Sequence, residues 1–303
     1  MLSYRHGFHA GNSADVLKHM VLIFCLDYLA QKEKPCLCID THAGAGSYPL
    51  PGVFSAKKRE WEGGIGKLSG VDSLSGNGKA PGPDRQQIPA MIRRYLDITG
   101  LSNGAAPATA AALSYPGSPE IIRRLLRRQD RGCCFELHPE DFAALDALLG
   151  GDRRFTLRRE DGFAGLKKLL PPLSRRGLIL IDPPYEVKDD YTRLPRALSD
   201  ALKRFPTGTY IIWHPLLHTD PRPGPVETAS FQETLLGLYN GNRLGIEFYT
   251  APKDSPPANS PRGMYGSGLV LFNPPWTLKP ALEESLPFLG EILGIGKDGW
   301  KLQ

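Results

Sequence analysis

The chain has 303 residues, of which 41% are hydrophobic and 23% are charged, and its formal net charge is +5. This composition is ordinary for a globular protein and excludes a mainly disordered one. The 33 glycines and 28 prolines follow no Gly-X-Y period, so collagen is excluded and the excess indicates many turns and loops.

The apolar segments are too short for a membrane protein. The longest covers residues 20–30, about half of the roughly 20 residues that a membrane span needs, and Asp27 interrupts it. The N-terminal residues lack the pattern of a signal peptide, so we expect a cytoplasmic protein. Five cysteines lie within apolar runs without metal-binding spacing, which predicts reduced core thiols and no bound metal.

The first predicted element is a helix at about 14–31. Asn12 offers an N-cap, Asp15 lies in the first turn where the helix dipole favours an acid, and apolar residues recur at helical spacing. The apolar run CLCID at 36–40 is typical of a buried strand, and the small residues of DTHAGAG (40–46) follow it. These two features predict the start of a β-loop-α unit.

The sequence changes character between residues 49 and 116. Gly-, Pro- and Ala-rich stretches dominate there, and only residues 88–98 have a firm helical pattern. We interpret 49–116 as a helical insertion into one domain that is formed by 1–48 and 117–303.

Ser118 begins a further predicted helix, because it offers an N-cap and Pro119 occupies the first helical position. Its two faces differ in chemistry. One arc is apolar and comprises Ile121, Ile122, Leu125 and Leu126, and the opposite arc is basic and comprises Arg123, Arg124, Arg127 and Arg128. Clustered arginines favour a polyanionic partner, so this face is a candidate RNA-binding surface.

Strands and helices alternate in the remaining sequence, which predicts a mostly parallel sheet with helices on both faces. The predicted helices lie at 139–149, 162–170 and 190–204. Predicted strands lie at 133–137, 155–160, 177–182, 209–213, 246–249 and 266–272. The last two are separated by a Pro/Ser-rich stretch, so we expect an antiparallel edge there. With 36–40, the α/β sheet has seven predicted strands.

The tetrapeptide Asp182-Pro183-Pro184-Tyr185 directly follows a buried strand, and open α/β sheets bind ligands at the carboxyl ends of their strands. A planar amine such as adenine N6 can donate to the Asp182 carboxylate and to the Pro183 carbonyl, while the Tyr185 ring stacks on the base. These are the requirements of methyl transfer to an exocyclic amine. A rigid turn without further function is the alternative.

A second tetrapeptide, Asn273-Pro274-Pro275-Trp276, fits the same pattern. The cofactor loop is expected on the first strand and the amine-binding tetrapeptide on the fourth. Asp182 ends the fourth predicted strand and Asn273 ends the last one. We therefore assign the amine site to Asp182 and interpret Asn273 as the exit of an edge strand, with Trp276 covering the core.

Acids and glycines also stand at the ends of the other predicted strands. Glu136 ends the second strand, from which an acid can bind ribose hydroxyls, and Asp161-Gly162 ends the third, where a carboxylate can accept from an adenine amino group. The insertion separates the glycine-rich loop from its crossover helix, so Ser118 at the start of that helix should return to the cofactor.

Taken in order, the segments LSYRHGFHAGNSADVLKH, DTHAGAG, YPGSP, FELHP, EDGF, SRRGLILIDPPYE and GLVLFNPPW closely resemble the RlmJ family of bacterial 23S ribosomal RNA adenine-N6 methyltransferases. The resemblance extends from residue 1 to about 276 and fails mainly in the insertion. It implies a class I, Rossmann-like methyltransferase fold with S-adenosylmethionine as cofactor. It also implies 23S rRNA, as naked RNA or an early particle, as substrate; we expect a monomer.

The resemblance further assigns roles to individual residues. Asp182 would be the catalytic proton acceptor, with Tyr4, His6 and Lys18 near the substrate adenine. The cofactor would be bound by His19, His42, Ser118, Glu136, Asp161 and Gly162.

Three other functions share these motifs. A DNA adenine-N6 methyltransferase would have the same core, and a guanine-N2 or protein glutamine methyltransferase would also use an Asp/Asn-Pro-Pro-aromatic loop. A non-catalytic RNA-binding module of the same fold would leave the acids at the strand ends without a task.

Overall fold

The computed structural model describes residues 6–50, 59–69, 86–101, 114–185, 189–218, 228–254 and 263–303. Tyr4 and most of the predicted insertion lie outside these ranges. No helix among the described residues is long and apolar enough to cross a membrane. All five cysteines are buried and free, as predicted.

The strands of the described chain are mostly short and apolar. They are β1 (Leu37–Asp40), β2 (Ser47–Pro49), β3 (Ser114–Pro116), β4 (Arg131–Phe135), β5 (Phe155–Arg158), β6 (Gly177–Ile181), β7 (Thr209–Leu217), β8 (Arg243–Tyr249), β9 (Met264–Phe272) and β10 (Trp300–Leu302).

The main helices are α1 (Ser13–Ala30), α2 (Ala90–Thr99), α3 (Ser118–Leu125), α4 (Pro139–Leu149), α5 (Gly162–Leu169), α6 (Asp189–Arg204), α7 (Thr228–Leu236) and α8 (Leu278–Leu293). A π-helical turn, Glu62–Gly66, leads into a short helix, Lys67–Ser69. The sequence analysis missed α7 and α8.

The strands form a mixed sheet in the order β10-β8-β9-β7-β6-β1-β4-β5. The five strands from β7 to β5 pair in parallel, and β9, β8 and β10 add an antiparallel edge. The sheet has eight strands instead of the predicted seven, because the C-terminal β10 pairs with β8. This strand has only three residues, too few for a periodic pattern.

Helices cover both faces of the sheet, as the alternation predicts. In β6, Leu178 and Leu180 pack with α1 and α8 on one face, whereas Ile179 and Ile181 pack with α5 and α6 on the other. Successive strand residues point to opposite faces, so a strand that is covered on both sides is apolar throughout.

Helix α1 lies within the first of these two layers and is buried on nearly all sides. The Asn12 side chain caps it by accepting from the Asp15 N–H at 3.0 Å, as the sequence predicts. The polar residues Asp15, Lys18 and His19 are buried along with its apolar ones. Buried charged groups need partners, and those partners lie at one end of the sheet.

The two ends of segment 49–116 meet in space. β2 and β3 pair antiparallel, with Tyr48 opposite Tyr115. Within the segment, α2 packs on α1 and joins the same apolar core. The division of the chain at 49–116 remains a prediction.

The arginine-rich helix is shorter than predicted. α3 ends at Leu125, so Arg127 and Arg128 lie beyond it and do not extend a basic helical face. Arg123 and Arg124 both form ion pairs with Glu120, at 2.6 and 2.8 Å. Because that acid shares the helix, it neutralises part of the face that was predicted to bind RNA.

Candidate active site

A cavity of about 160 Å³ opens at the carboxyl edge of the parallel strands. It brings together nine residues that the sequence analysis selected: His6, Lys18, His19, His42, Ser118, Glu136, Asp161, Gly162 and Asp182. These residues come from segments that are far apart in the chain, and the parallel strands direct their carboxyl ends to one edge.

Acids stand at the ends of four adjacent strands, β6, β1, β4 and β5. They are Asp182, Asp40, Glu136 and Asp161. Burial raises the pKa of Asp40 to about 6, although a hydrogen bond from Ser118 opposes the shift. Burial also raises the pKa of Glu136 above its usual value. The edge therefore concentrates carboxylates in a place of low solvent access.

The glycine-rich loop is held against Glu136. The Gly44 N–H donates to Glu136 Oε2 at 2.8 Å, and the His138 N–H donates to Oε1 at 2.6 Å. Gly44 has φ +60°, and a Cβ on it would lie 2.2 Å from the Tyr48 hydroxyl oxygen. Only glycine satisfies both the backbone angle and the close approach.

Asp161 and Gly162 form the turn after β5. Asp161 Oδ1 caps α5 by accepting from the Ala164 N–H at 2.9 Å. Burial would raise the pKa of Asp161, but this hydrogen bond and the ion pair with Arg193 lower it. A Cβ on Gly162 would lie 2.0 Å from the Thr41 carbonyl oxygen, so glycine lets the two strand ends approach.

Arg193 is a cavity residue that the sequence analysis missed. It comes from α6, pairs with Asp161, and places its guanidinium carbon 5.3 Å from the centre of the Phe163 ring. One turn before it, Asp190 also lines the cavity, and its buried Oδ2 has no hydrogen-bond partner among the described residues. No sequence motif marks either position.

Asp182 contacts α1 across the cavity. Its Oδ2 accepts a hydrogen bond from Lys18 Nζ, and the same ammonium lies 2.8 Å from Asp15 Oδ1. Burial opposes the charged form of Lys18, but Asp15 and Asp182 raise its pKa above its usual value. Lys18 is therefore protonated and bridges two carboxylates.

The two predicted cofactor histidines are neutral. Burial lowers the pKa of His19 to about 3 and the pKa of His42 to about 4. His19 Nδ1 is hydrogen-bonded to the Tyr115 hydroxyl at 2.7 Å, and His42 Nδ1 to Thr41 Oγ1 at 2.8 Å. Both imidazoles line the cavity without adding positive charge.

The structure differs from the prediction at Tyr185. Its ring packs against Tyr191, Trp213 and Phe231, and its hydroxyl donates to the Trp213 carbonyl at 2.6 Å. Neither Tyr185 nor Pro183 is among the cavity-lining residues, whereas Pro184 is. The ring follows this course because Tyr185 adopts φ +54°, which turns the chain away after the two prolines.

The second Pro-Pro tetrapeptide lies at the opposite edge of the sheet. β9 runs antiparallel to β7, so Asn273 at its end lies beside the start of β7, where Thr209 Oγ1 donates to its carbonyl at 3.2 Å. This placement agrees with the assignment of the amine site to Asp182. Trp276 does not cover the core as predicted, because 77% of it is exposed.

Arg127, which was predicted to meet a polyanion, also lies at that opposite edge, as does Arg176. Arg127 pairs with Asp130 at 2.8 Å and donates to the carbonyls of Ala30 and Lys32 at 2.9 and 2.7 Å. Arg176 donates to the Leu29 carbonyl at 2.7 Å. These guanidinium groups satisfy the carbonyls at the end of α1 and the loop that follows it.

The sequence of residues 33–303 matches a protein family described as "RsmJ: Ribosomal RNA large subunit methyltransferase D, RlmJ". "Ribosomal RNA large subunit methyltransferase J" of Haemophilus influenzae is 40% identical over 304 residues, which cover 100% of this chain and 98% of that protein. The protein of the same name from Escherichia coli K12 is 38% identical over 289 residues, which cover 95% and 93%.

A solved structure supports the same relationship. The crystal structure of protein LPL1258 from Legionella pneumophila has a TM-score of 0.78 and 30% identity, and it covers 97% of each chain. The strand order, with the cavity at the carboxyl edge of the parallel strands, is the class I methyltransferase fold. Together these findings show that the chain belongs to the RlmJ family of ribosomal RNA large subunit methyltransferases.

Proposed function

We propose that this chain methylates the exocyclic N6 amine of an adenine in 23S ribosomal RNA. The observation that carries the proposal is the position of Asp182. Its carboxylate ends β6 inside the cavity, next to the strand ends that bear Asp40, Glu136 and Asp161. A carboxylate that can accept a hydrogen bond from the substrate amine is thus expected beside a cluster of acids. Such a cluster suits a cofactor with many hydrogen-bond donors.

S-adenosylmethionine is the cofactor of this methyltransferase, and the cavity residues fit it. Ribose hydroxyls, two amino groups and a sulfonium require acceptors and negative charge, which the carboxylates at the strand ends provide. We infer that Glu136 binds the ribose and Asp161 the adenine amino group. His19, His42 and Ser118 complete the cofactor site, with Gly162 allowing a close backbone approach. When bound, the cofactor supplies an electrophilic methyl group.

The chain's own residues have two tasks at the substrate amine. First, they hold N6 in line with the methyl group, because positioning provides most of the catalysis when the donor is already reactive. Second, a hydrogen bond from N6 to Asp182 favours a pyramidal nitrogen, whereas the predicted acceptor Pro183 does not line the cavity. The carboxylate then stabilises the positive charge that develops on N6 and accepts its proton.

A base within a helix cannot reach this cavity, so the target adenine is unpaired or flipped out. His6 and Lys18 line the cavity on the side of α1, where they would contact that base together with Tyr4. We therefore infer that residues of α1 and of the segment before it contact the substrate, whereas Glu136 and Asp161 bind the cofactor.

The test is a product analysis. Purified protein is incubated with cofactor carrying an isotopically labelled methyl group and with 23S rRNA from a strain that lacks this chain. The RNA is digested and its nucleosides are analysed by mass spectrometry. We expect labelled N6-methyladenosine with the wild-type protein, and none with Asp182→Ala. Labelled N2-methylguanosine, methylation of duplex DNA in preference to rRNA, or cofactor binding without any methylated product would reject the proposal in favour of one of its alternatives.

A further inference from the structure

Asp15 occupies the centre of a charged cluster under the catalytic cavity. It is only 1% exposed, and its Oδ1 lies 2.8 Å from Lys18 Nζ. Its Oδ2 accepts from the Gly11 N–H and from His6 Nε2, each at 2.9 Å. The sequence analysis gave Asp15 only a place near the positive end of the α1 dipole and did not predict its contact with Lys18.

Lys18 has two carboxylate partners, Asp15 and Asp182, and its side chain is 4% exposed. The three residues together hold two negative charges and one positive charge. Burial would raise the pKa of Asp15, but His6, Lys18 and His19 lower it well below its usual value. Asp15 is therefore ionised, and the Lys18 ammonium lies between its carboxylate and that of Asp182.

This charge balance bears on the reaction. The amine gains positive charge as it is methylated, and a lone Lys18 ammonium in contact with Asp182 would cancel the carboxylate and repel that charge. A second carboxylate on the far side of Lys18 compensates the ammonium. Asp182 then keeps an uncompensated negative charge for the amine while it still accepts the hydrogen bond that orients it.

We propose that Asp15 is a positioning residue that acts through Lys18, by neutralising its ammonium and fixing it against Asp182. This inference rests on the proposed role of Asp182 at the substrate amine. Asp15 itself touches neither substrate nor cofactor in this role.

The surroundings of Asp15 hold it in place. The Gly11 N–H donates to Asp15, and the Gly11 carbonyl accepts from the Ile65 N–H at 2.8 Å. A Cβ on Gly64 would lie 2.1 Å from that carbonyl oxygen, so the π-helical turn packs directly on the start of α1. A carboxylate that is fixed before substrate binds needs no reorganisation during the reaction.

A double-mutant cycle tests the inference, with methyl transfer measured at saturating cofactor and RNA. We expect Asp15→Asn to lower kcat by at least about tenfold without changing cofactor affinity. In a Lys18→Met background the same substitution should cause no further loss or a gain, since Lys18 is no longer there to be neutralised. A similar fold loss in both backgrounds, or no loss in the first, would overturn the inference.

Asp27→Asn is the matched control, because it makes the same change on the same helix at a surface pair with Arg94. It should leave kcat unchanged. The double variant has no buried charge at either position. If Asp15→Asn alone does not yield folded protein, we compare kcat of Lys18→Met with kcat of the double variant. A loss of kcat on adding Asp15→Asn there contradicts the inference. The identity of the methylated product of the wild-type protein tests the proposed function separately. Failure of the proposed function can therefore be distinguished from failure of the inference about Asp15.

Discussion

The two Pro-Pro tetrapeptides show how one local pattern serves two purposes at opposite edges of the sheet. Asp182 ends a parallel strand at the cavity, and its carboxylate contacts a lysine from another element. Asn273 ends an antiparallel strand at the other edge, where its amide donates to the carbonyls of Pro206 and Gly208 at 2.8 Å each and accepts from the Tyr239 hydroxyl at 2.9 Å. Strand direction, and not the tetrapeptide, decides which one lies at the cavity.

Charged side chains also have different tasks at the two edges of the sheet. At the cavity edge, carboxylates from four strands converge, and Oδ2 of the cavity-lining Asp190 has no hydrogen-bond partner among the described residues. At the other edge, Arg127 and Arg176 bond to backbone carbonyls and so complete the fold itself. Polar groups that a fold leaves without internal partners at a cavity are candidates for ligand binding, whereas polar groups that it satisfies internally stabilise it.

The largest expected effect separates the two tetrapeptides. Asp182→Ala should lower kcat by at least about a hundredfold while cofactor affinity changes little. Asn273→Ala should keep kcat and lose about 1–3 kcal/mol of unfolding free energy, because two backbone carbonyls lose their donors. Turnover kinetics and thermal unfolding of the two variants measure this. An active Asp182→Ala together with an inactive Asn273→Ala would move the reaction to the other edge.

A second prediction concerns cofactor affinity at the cavity edge. Glu136→Ala removes the acceptor proposed for the ribose hydroxyls and the one that holds the Gly44 N–H. We expect a loss of roughly 1.5–3 kcal/mol in binding, measured by calorimetry with S-adenosylmethionine. Glu33→Ala, in the exposed loop after α1, is the control and should bind normally. Equal affinity in both variants would remove Glu136 from the cofactor site.

The smallest effect is expected for a substitution of Arg127, which should change the stability of the protein and not its RNA binding. Arg127→Met should cost about 1–2 kcal/mol of unfolding free energy, since Asp130 keeps its backbone donors from Cys36 and Arg127 itself. The slope of log affinity for RNA against log salt should not change, because this guanidinium is already bound to the protein. A slope that falls by nearly one unit would show instead that Arg127 contacts phosphate.

The same variant has a pH signature. Burial would raise the pKa of Asp130, but the hydrogen bonds from Arg127 and the Cys36 N–H lower it to about 2. A carboxyl whose pKa is lowered by folding adds stability that is complete above its unfolded pKa of about 4. That stability is lost as the pH falls toward 2. In Arg127→Met the part of this acid dependence that comes from the guanidinium should disappear in unfolding curves recorded between these pH values.

Sequence reasoning predicted most of the local structure. The N-cap of α1 and the strand that leads into the glycine-rich loop depend on neighbours within a few residues, so their patterns are visible in the chain. Glu136, Asp161 and Asp182, the acids that sequence reasoning selected at strand ends, line one cavity, since parallel strands with crossover helices bring their carboxyl ends to one edge.

Contacts between distant segments could not be predicted. The partnership of Asp15, Lys18 and Asp182 joins α1 to a strand end 164 residues later. Arg193 and Asp190 reach the cavity from a helix whose sequence resembles any charged surface helix. Helical periodicity placed Arg127 on a basic face, but α3 ends before it, and Asp130 and the end of α1 bind its guanidinium.

The sequence by itself determined most of the alternating strands and helices, the mostly parallel sheet and the set of acids at one edge, because short-range patterns and chain connectivity define these features. Only the tertiary structure decided which charges compensate one another and where the Tyr185 ring lies. It also decided which arginines are used internally. Those outcomes depend on distances between segments that the chain connects only through the folded core, where low solvent access makes each pairing strong.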